Sequence, residues 1–323
     1  MQSSEERDIL FFDLKTNTIS RKFNNLPPKN ISFLIGQLKE LYDNKEAFHQ
    51  YRNKTETLYI ADISIEENHV KILINRSDKK VADIILSDLE KNTRRLIEKV
   101  DGEGNDYSTH IIVSFNAPLS QPNTHLFLLE LSPGLGRAKI ELFLNALIRK
   151  CKKKNPDQFT MNNPDGSVDS HGEQKKIKIS SRIELHGHLS DEFKTELANG
   201  TIDFLELYSP VEHNPYDEYS YTTEKKKSLQ LSLSDSGKVA EKLKMIKSIC
   251  KKGNSDDMEY LRVKFINSEK ISRTVHLHTS SAELAVDYIF IKKYKIRGFL
   301  NPLVSSYTEL NQEVIDKVLE LIP

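Results

Sequence analysis

Apolar and polar residues along the chain change period several times, and those changes predict its elements. Residues 8–14 (DILFFDL) and 18–23 (TISRKF) read as two short strands around a turn at Lys15-Thr16-Asn17, ended by Pro27-Pro28. After Asn30, Ile31, Leu34, Ile35, Leu38, Leu41 and Tyr42 recur at helical spacing, and the Asn30 side chain is suited to accept a free first-turn amide. The next stretch reads as sheet. Segments 57–65 and 69–76 form a hairpin around Glu66-Glu67-Asn68, and 81–89 and 93–100 form another around Glu90-Lys91-Asn92. Segments 108–117 and 124–131 have apolar cores long enough for the middle of a sheet.

Pro133-Gly134-Leu135-Gly136 marks a passage from sheet to helix, and Ile140, Leu144, Leu147 and Ile148 then form the stripe of a helix of about four turns. Residues 155–174, with two prolines and two glycines, read as a linker or long loop. Beyond it the pattern predicts a strand from Lys176, a short helix after Ser190 and a strand at 201–209. A polar excursion over 210–227 and another strand lead to an amphipathic helix from Lys238 that closes at Gly253. Strands at 259–267, 273–279 and 287–296 follow, then a final helix from Ser306. The sum is an α+β fold with mostly antiparallel sheets and packing helices. It predicts two domains, 1–154 and 175–323, on either side of the linker.

Composition sets limits on this picture. The 323 residues carry 47 Lys and Arg against 47 Asp and Glu, so the formal net charge is zero. No apolar run approaches the ~20 residues of a membrane-spanning helix, and the start of the chain lacks a secretory signal pattern. The expectation is a cytoplasmic protein without membrane insertion. Cys151 and Cys250 are too few for a disulfide framework. Cys151 sits among lysines, which favour a thiolate; Cys250 lies on an apolar helix face.

Three runs break the even charge. Residues 137–154 hold seven basic groups and one acidic; residues 238–252 hold six and one; Lys292, Lys293, Lys295 and Arg297 have no acid between them. Arg149, Lys150, Lys152, Lys153, Lys154, Lys247, Lys251, Lys252, Lys292, Lys293, Lys295 and Arg297 are therefore candidate phosphate contacts, with Tyr294 and Phe299 as stacking surfaces. Solvated lysine on helix backs is the plainer alternative.

Candidate chemistry is thinner. Asp78, Asp83, Asp88 and Glu103 stand at predicted strand ends, where converging carboxylates would hold Mg²⁺ as in a metal-dependent nuclease; acids also occupy turns for their local amide bonds. His186 and His188, and His276 and His278, are His-x-His pairs suited to zinc or acid–base work if they share a strand face. His110 and His125 fall within apolar strands and read as buried. Pro133–Arg137 precedes a helix whose first amides, with Arg137, suit a phosphate, yet it matches neither nucleotide-binding fingerprint.

The stretch 72–115 resembles an uncharacterised bacterial protein group found among mobile-element and anti-phage defence genes. Asn75, Asp78, Asp83, Arg94, Glu103, Gly104, Ser108 and His110 carry the resemblance, with a weaker echo at 197–202. The chain departs from that pattern at Ile84, where the group has Pro, and at Thr109, where it prefers Ala. The resemblance implies a bacterial defence component, a sensor or accessory subunit, and carries over no catalytic residues. Three readings follow: a component binding DNA, RNA or a partner protein of a defence complex; a nuclease with Mg²⁺ as its cofactor; and a non-catalytic scaffold subunit. The first and third need no cofactor, and self-association fits each.

Overall fold

The computed structural model describes residues 3–20, 22–23, 26–117, 123–168, 170–188, 201–209, 227–233, 239–266, 272–279 and 291–322. It is an α+β protein of mostly antiparallel sheets. Its two compact units are Met1–His186 with Lys293–Pro323, and Gly187–Lys292. The division therefore falls at Gly187 and Lys292, not around 155–174, because the chain returns at its end to the sheet in which it began.

The first unit is built on an eight-stranded sheet. Its order is β11 (Ser180–Gly187), β1 (Glu6–Ile19), β8 (Thr124–Glu130), β7 (Asn105–Ser114), β4 (His69–Asp78), β3 (Glu56–Ile65) and β2 (Phe48–Tyr51), and β16 (Lys293–Arg297) also pairs with β1. β1 is one strand of 14 residues where two and a turn were predicted. Lys15-Thr16-Asn17 contains no Gly or Pro to break extended backbone. Thr16 is buried, and the ladder with β8 continues to Lys15 opposite Thr124. The predicted linker also has structure: β9 (Thr160–Asn162) pairs with β10 (Lys176–Lys178) to form a separate small hairpin.

Helix α1 (Ile31–Asp43) begins as predicted, with Asn30 Oδ1 accepting from the Ser32 amide at 2.8 Å. It packs against α2 (Arg137–Lys154), and the pair reaches the sheet at β3 and β2. A short helix near the C-terminus, Gln312–Leu319, buries Val314, Ile315 and Val318 against Ile9, Phe11, Ile112 and Leu128. Residues of β1 and β8 that alternate with these, such as Phe12 and Phe127, turn to the opposite side and meet edge to face.

The final helix starts six residues later than the sequence pattern predicts, because side chains of the sheet take up the backbone before it. The Ser108 hydroxyl accepts from the Tyr307 amide, Asp62 from Leu310 and His110 Nε2 from Asn311, while Asn75 Nδ2 donates to the Tyr307 carbonyl at 2.8 Å. Asn311 then caps the helix through the Val314 amide.

Beneath this segment lies a buried carboxylate. Glu130, on β8, meets Arg7 Nε of β1 at 2.7 Å and His110 Nδ1 of β7 at 2.6 Å, and all three side chains are inaccessible to water. The other ring nitrogen, His110 Nε2, lies 3.1 Å from the Asn311 amide, so the imidazole bridges Glu130 to the segment that enters the final helix. Burial alone would raise the Glu130 pKa; the His110 interactions and the Arg7 charge outweigh it and hold the group below its ordinary range.

The second unit is an antiparallel sheet ordered β13 (Lys227–Leu231), β12 (Thr201–Ser209), β14 (Tyr260–Ile266) and β15 (Ser272–His278), with α3 (Val239–Ser255) packed on β14. Leu205, Leu207, Ile246, Cys250, Leu261 and Val263 form its core. Helix α3 continues through Gly253, where it was predicted to close. A Cβ there would stand 2.4 Å from Leu207 Cδ2, so glycine lets the helix settle onto β12. The helix predicted after Ser190 and all of the excursion 210–227 except its last residue, which opens β13, lie outside the described residues.

Two outcomes follow from the buried carboxylate. Arg7→Met strands the Glu130 charge and lowers the unfolding free energy in urea by about 3–5 kcal/mol, whereas Arg7→Met with Glu130→Leu recovers much of it. Since the folded pKa of Glu130 lies below 4.5, its stabilisation is complete above that pH and is lost as pH falls through the depressed value. Urea midpoints measured from pH 7 to pH 3 show this acid limb, and Glu130→Gln flattens it.

Candidate nucleic-acid interface

The basic runs fare differently once folded. In β16, antiparallel pairing places Glu6 opposite Arg297, Asp8 opposite Lys295 and Leu10 opposite Lys293. Arg297 Nε lies 3.0 Å from Glu6, Lys293 3.1 Å from Asp8, and Lys295 contacts both acids. The Lys295 hydrogen bond holds the Glu6 pKa down, and the same bond raises that of Lys295. The acids absent from the run in sequence arrive from the neighbouring strand, so two carboxylates offset most of the charge of these three cations and each cation has an ion-pair partner. Lys292 belongs to the second unit, where its amide donates to the His188 carbonyl. Lys247, Lys251 and Lys252 stand on α3 of that unit, with Lys251 and Lys252 exposed.

Helix α2 keeps its charge. Lys152 turns aside to Ser180 Oγ at 2.6 Å, and Lys154 pairs with Glu46 at 3.1 Å. Arg149 and Lys153, one turn apart, are exposed and have no ion-pair partner among the described residues. Lys150 donates to the Glu46 carbonyl and lies 4.6 Å from the Phe48 ring centre. The strand facing this part of α2 is β2, Phe48-His49-Gln50-Tyr51, at the edge of the sheet. His49 meets Tyr51 edge to face with centroids 4.6 Å apart, and Lys139 Nζ lies 4.4 Å from the Tyr51 centroid. Burial, then the charges of Arg149 and Lys150, lower the His49 pKa. Burial raises that of Tyr51, against the opposing pull of Arg149.

The chain leaves β2 through Arg52, Asn53 and Lys54, three successive non-glycine residues with φ of 49°, 54° and 68°. Left-handed backbone is unfavourable for such residues, and the turn holds Arg52 and Lys54 out into solvent. Beneath it Glu56 is buried, bonded to Arg76 at 2.6 Å and Lys139 at 2.8 Å, with Arg52 at 3.6 Å. Burial favours protonation of Glu56, but the hydrogen bonds from Arg76 and Lys139 outweigh it and keep its pKa low. Lys139, Arg149 and Lys153 span about 21 Å of helix at 1.5 Å per residue. Lys139 is engaged by Glu56 and Tyr51 is half-buried, while Arg149 and Lys153 on the helix and Phe48 and His49 on the edge strand are exposed.

Each candidate acid engages a local partner. Asp78 pairs with Arg76 and accepts from the Lys80 amide; Asp83 stands 3.7 Å from Lys99. Asp88 caps its turn through the Glu90 and Lys91 amides, and Glu103 accepts from the Val100 amide. Asp83 and Asp88 bracket β5 (Ile84–Asp88), whose five residues span roughly 16 Å, too far to share one ion. Among the described residues no group of three or more His, Cys, Asp or Glu side chains is placed to hold a metal ion. His186 lies 3.4 Å from Glu184. The backbones of His276 and His278 pair with Arg262 and Tyr260, and their side chains lie outside what is described.

At the sheet-to-helix passage, Gly134 adopts φ 72° against the Arg76 guanidinium, where a Cβ would fall 2.6 Å from Nη1, and Arg137 donates to the Leu185 carbonyl. Both arginines are thus engaged within the fold. Comparison with known families, curated proteins and solved structures gives no match. The geometry alone therefore carries the functional reading.

Sequence reasoning found Arg149, Lys150 and Lys153 but missed Phe48, His49, Tyr51, Arg52, Lys54 and Lys139. The run Phe48-His49-Gln50-Tyr51-Arg52-Asn53-Lys54, dense in rings and cations, was the available signal. The thiolate reading of Cys151 is corrected: the side chain is buried and donates to the Gln37 carbonyl. Burial pushes the pKa of Cys151, like that of Cys250, up to about 12. Neither thiol reacts with Ellman's reagent in the native protein at pH 8, and both titrate after unfolding in guanidinium; rapid native labelling at either position contradicts this.

Proposed function

We propose that the chain binds nucleic acid, with single-stranded DNA or RNA lying along α2 and the edge strand β2. Support comes from one arrangement: Arg149, close enough to act on His49 and Tyr51, and Lys153 one turn on have no ion-pair partner among the described residues, and the solvent-facing Arg52 and Lys54 directly follow the rings of Phe48, His49 and Tyr51 on β2. Cations spaced along a helix follow a phosphate backbone, and neighbouring rings give bases a stacking surface that tolerates any sequence. Formal charge balance over the whole chain is no obstacle, because phosphates respond to the local field. In this reading the protein is a cytoplasmic binding component without a metal cofactor. Its place in a bacterial anti-phage system is a further part of the proposal, and rests on the resemblance of residues 72–115. No helix among the described residues is long and apolar enough to cross a membrane.

Fluorescence anisotropy with labelled oligonucleotides, over a salt series, tests the reading. Arg149→Glu with Lys153→Glu weakens binding of every single-stranded sequence and flattens the plot of log affinity against log salt by about 0.7 for each phosphate no longer neutralised. His49→Ala, which removes a ring and leaves these cations in place, weakens binding by roughly 5- to 150-fold with the salt slope retained. Lys295→Ala with Arg297→Ala leaves affinity unchanged, since those cations are already matched by Glu6 and Asp8. Absence of binding at low salt, or equal weakening in the β16 variant, overturns the proposal.

A further inference from the structure

A cluster of exposed apolar residues in the first unit lies on a hairpin that pairs with no other strand among the described residues. β5 and β6 (Thr93–Ile97) form a separate two-stranded sheet, with Ile84 opposite Ile97, Ile85 opposite Leu96 and Leu86 opposite Arg95. Every residue of both strands is exposed, the five aliphatic ones to between 44% and 54%, and Leu89 at the tip reaches 89%. An isolated two-stranded hairpin is marginal in water, and clustered apolar surface of this kind marks a contact.

Charge on the hairpin is segregated by strand. Residues 83–90 carry three acids and no base; residues 91–97 carry three bases and no acid. Within the hairpin Asp88 reaches Lys91 at 3.5 Å, whereas Glu90, Arg94 and Arg95 have no ion-pair partner among the described residues. This division identifies the occupant. A second copy offers the same two flanks, but only some arrangements join unlike charges. Twofold pairing edge to edge sets β5 against β5 or β6 against β6, acid to acid or base to base, which is unfavourable. Stacking two hairpins face to face about a twofold axis parallel to the strands sets β5 of each over β6 of the other. Asp88 then stands diagonally across from the partner copy's Arg95, and Ile84, Leu86 and Ile97 are covered on both copies at the ordinary ~10 Å sheet separation.

We propose that β5–β6 is a dimerisation arm, by which two copies of this chain stack their hairpins face to face with the acidic strand of each over the basic strand of the other. The arm is independent of the α2–β2 surface, so its test contains no nucleic acid.

Sedimentation equilibrium over a series reaching about 300 µM suits a surface at the small end of specific interfaces. The wild-type chain dimerises reversibly. Lys91→Glu with Arg95→Glu gives a monomer, whereas Arg94→Glu, on the opposite face of the hairpin, leaves association intact, and Asp88→Asn with Glu90→Lys, which keeps an acceptor for the turn amides, weakens it. Mixed in equal amounts, the first and last of these variants form a heterodimer tighter than either alone. Leu86→Asp, which leaves the original charges untouched, is also monomeric, and circular dichroism reports that each variant keeps its fold. A wild-type monomer throughout the series, a full-strength dimer in the Leu86→Asp chain, or failure of the mixture to associate overturns the proposal. The first of these outcomes leaves the hairpin to a different protein.

Discussion

The fold of the first unit turns on a charge that water does not reach. Glu130 joins β8 to β1 through Arg7 and to β7 through His110, and His110 in turn takes the Asn311 amide that leads into the final helix. A buried carboxylate is tolerated only while donors surround it. The first strand, the centre of the sheet and the end of the chain are therefore bound to one another by a single requirement. This explains how the last thirty residues belong to the unit that the first strand begins, with the second unit inserted between them.

The same logic of local neutralisation sorts the cations. Those of β16 lie beside a strand that presents Glu6 and Asp8, so their charge is satisfied inside the sheet edge. At the C-terminal end of α2, Glu46 engages Lys154 through its carboxylate and Lys150 through its carbonyl. Arg149 and Lys153 project elsewhere and keep their field. Even Glu56, the acid closest to the β2 turn, is buried and matched by Arg76 and Lys139, leaving Arg52 largely in solvent. Whether a basic residue can serve a polyanion is decided by what lies across from it.

The β5–β6 hairpin stands apart from this pattern. Exposed apolar residues occur singly elsewhere in the first unit, but here aliphatic side chains cluster half in water, and Arg94 and Arg95 lack ion-pair partners among the described residues. Its own turn is well made, with Asp88 capping two amides and Asn92 in the left-handed region. The local structure is thus secure while its aliphatic surface stays open to solvent.

Much of the architecture was legible before folding. Apolar periodicity located α1, α2, α3 and most of the strands, because period is a local property that reports which face of an element is buried. Asn30, the Glu90-Lys91-Asn92 turn and the burial of His110, His125 and Cys250 were readable for the same reason. The continuity of β1 and the late start of the final helix were not: the first rests on pairing with β8, the second on acceptors from β3 and β7. The candidate site divides along the same line. Arg149, Lys150 and Lys153 announced themselves as a basic run, but the neutralisation of the β16 cations and the arrival of His49, Tyr51 and Lys139 beside α2 depended on neighbours remote in sequence. The chain by itself determined its elements and its inventory of charge; only the tertiary structure decided which charges remained unmatched, since electrostatic partners are chosen by distance in space.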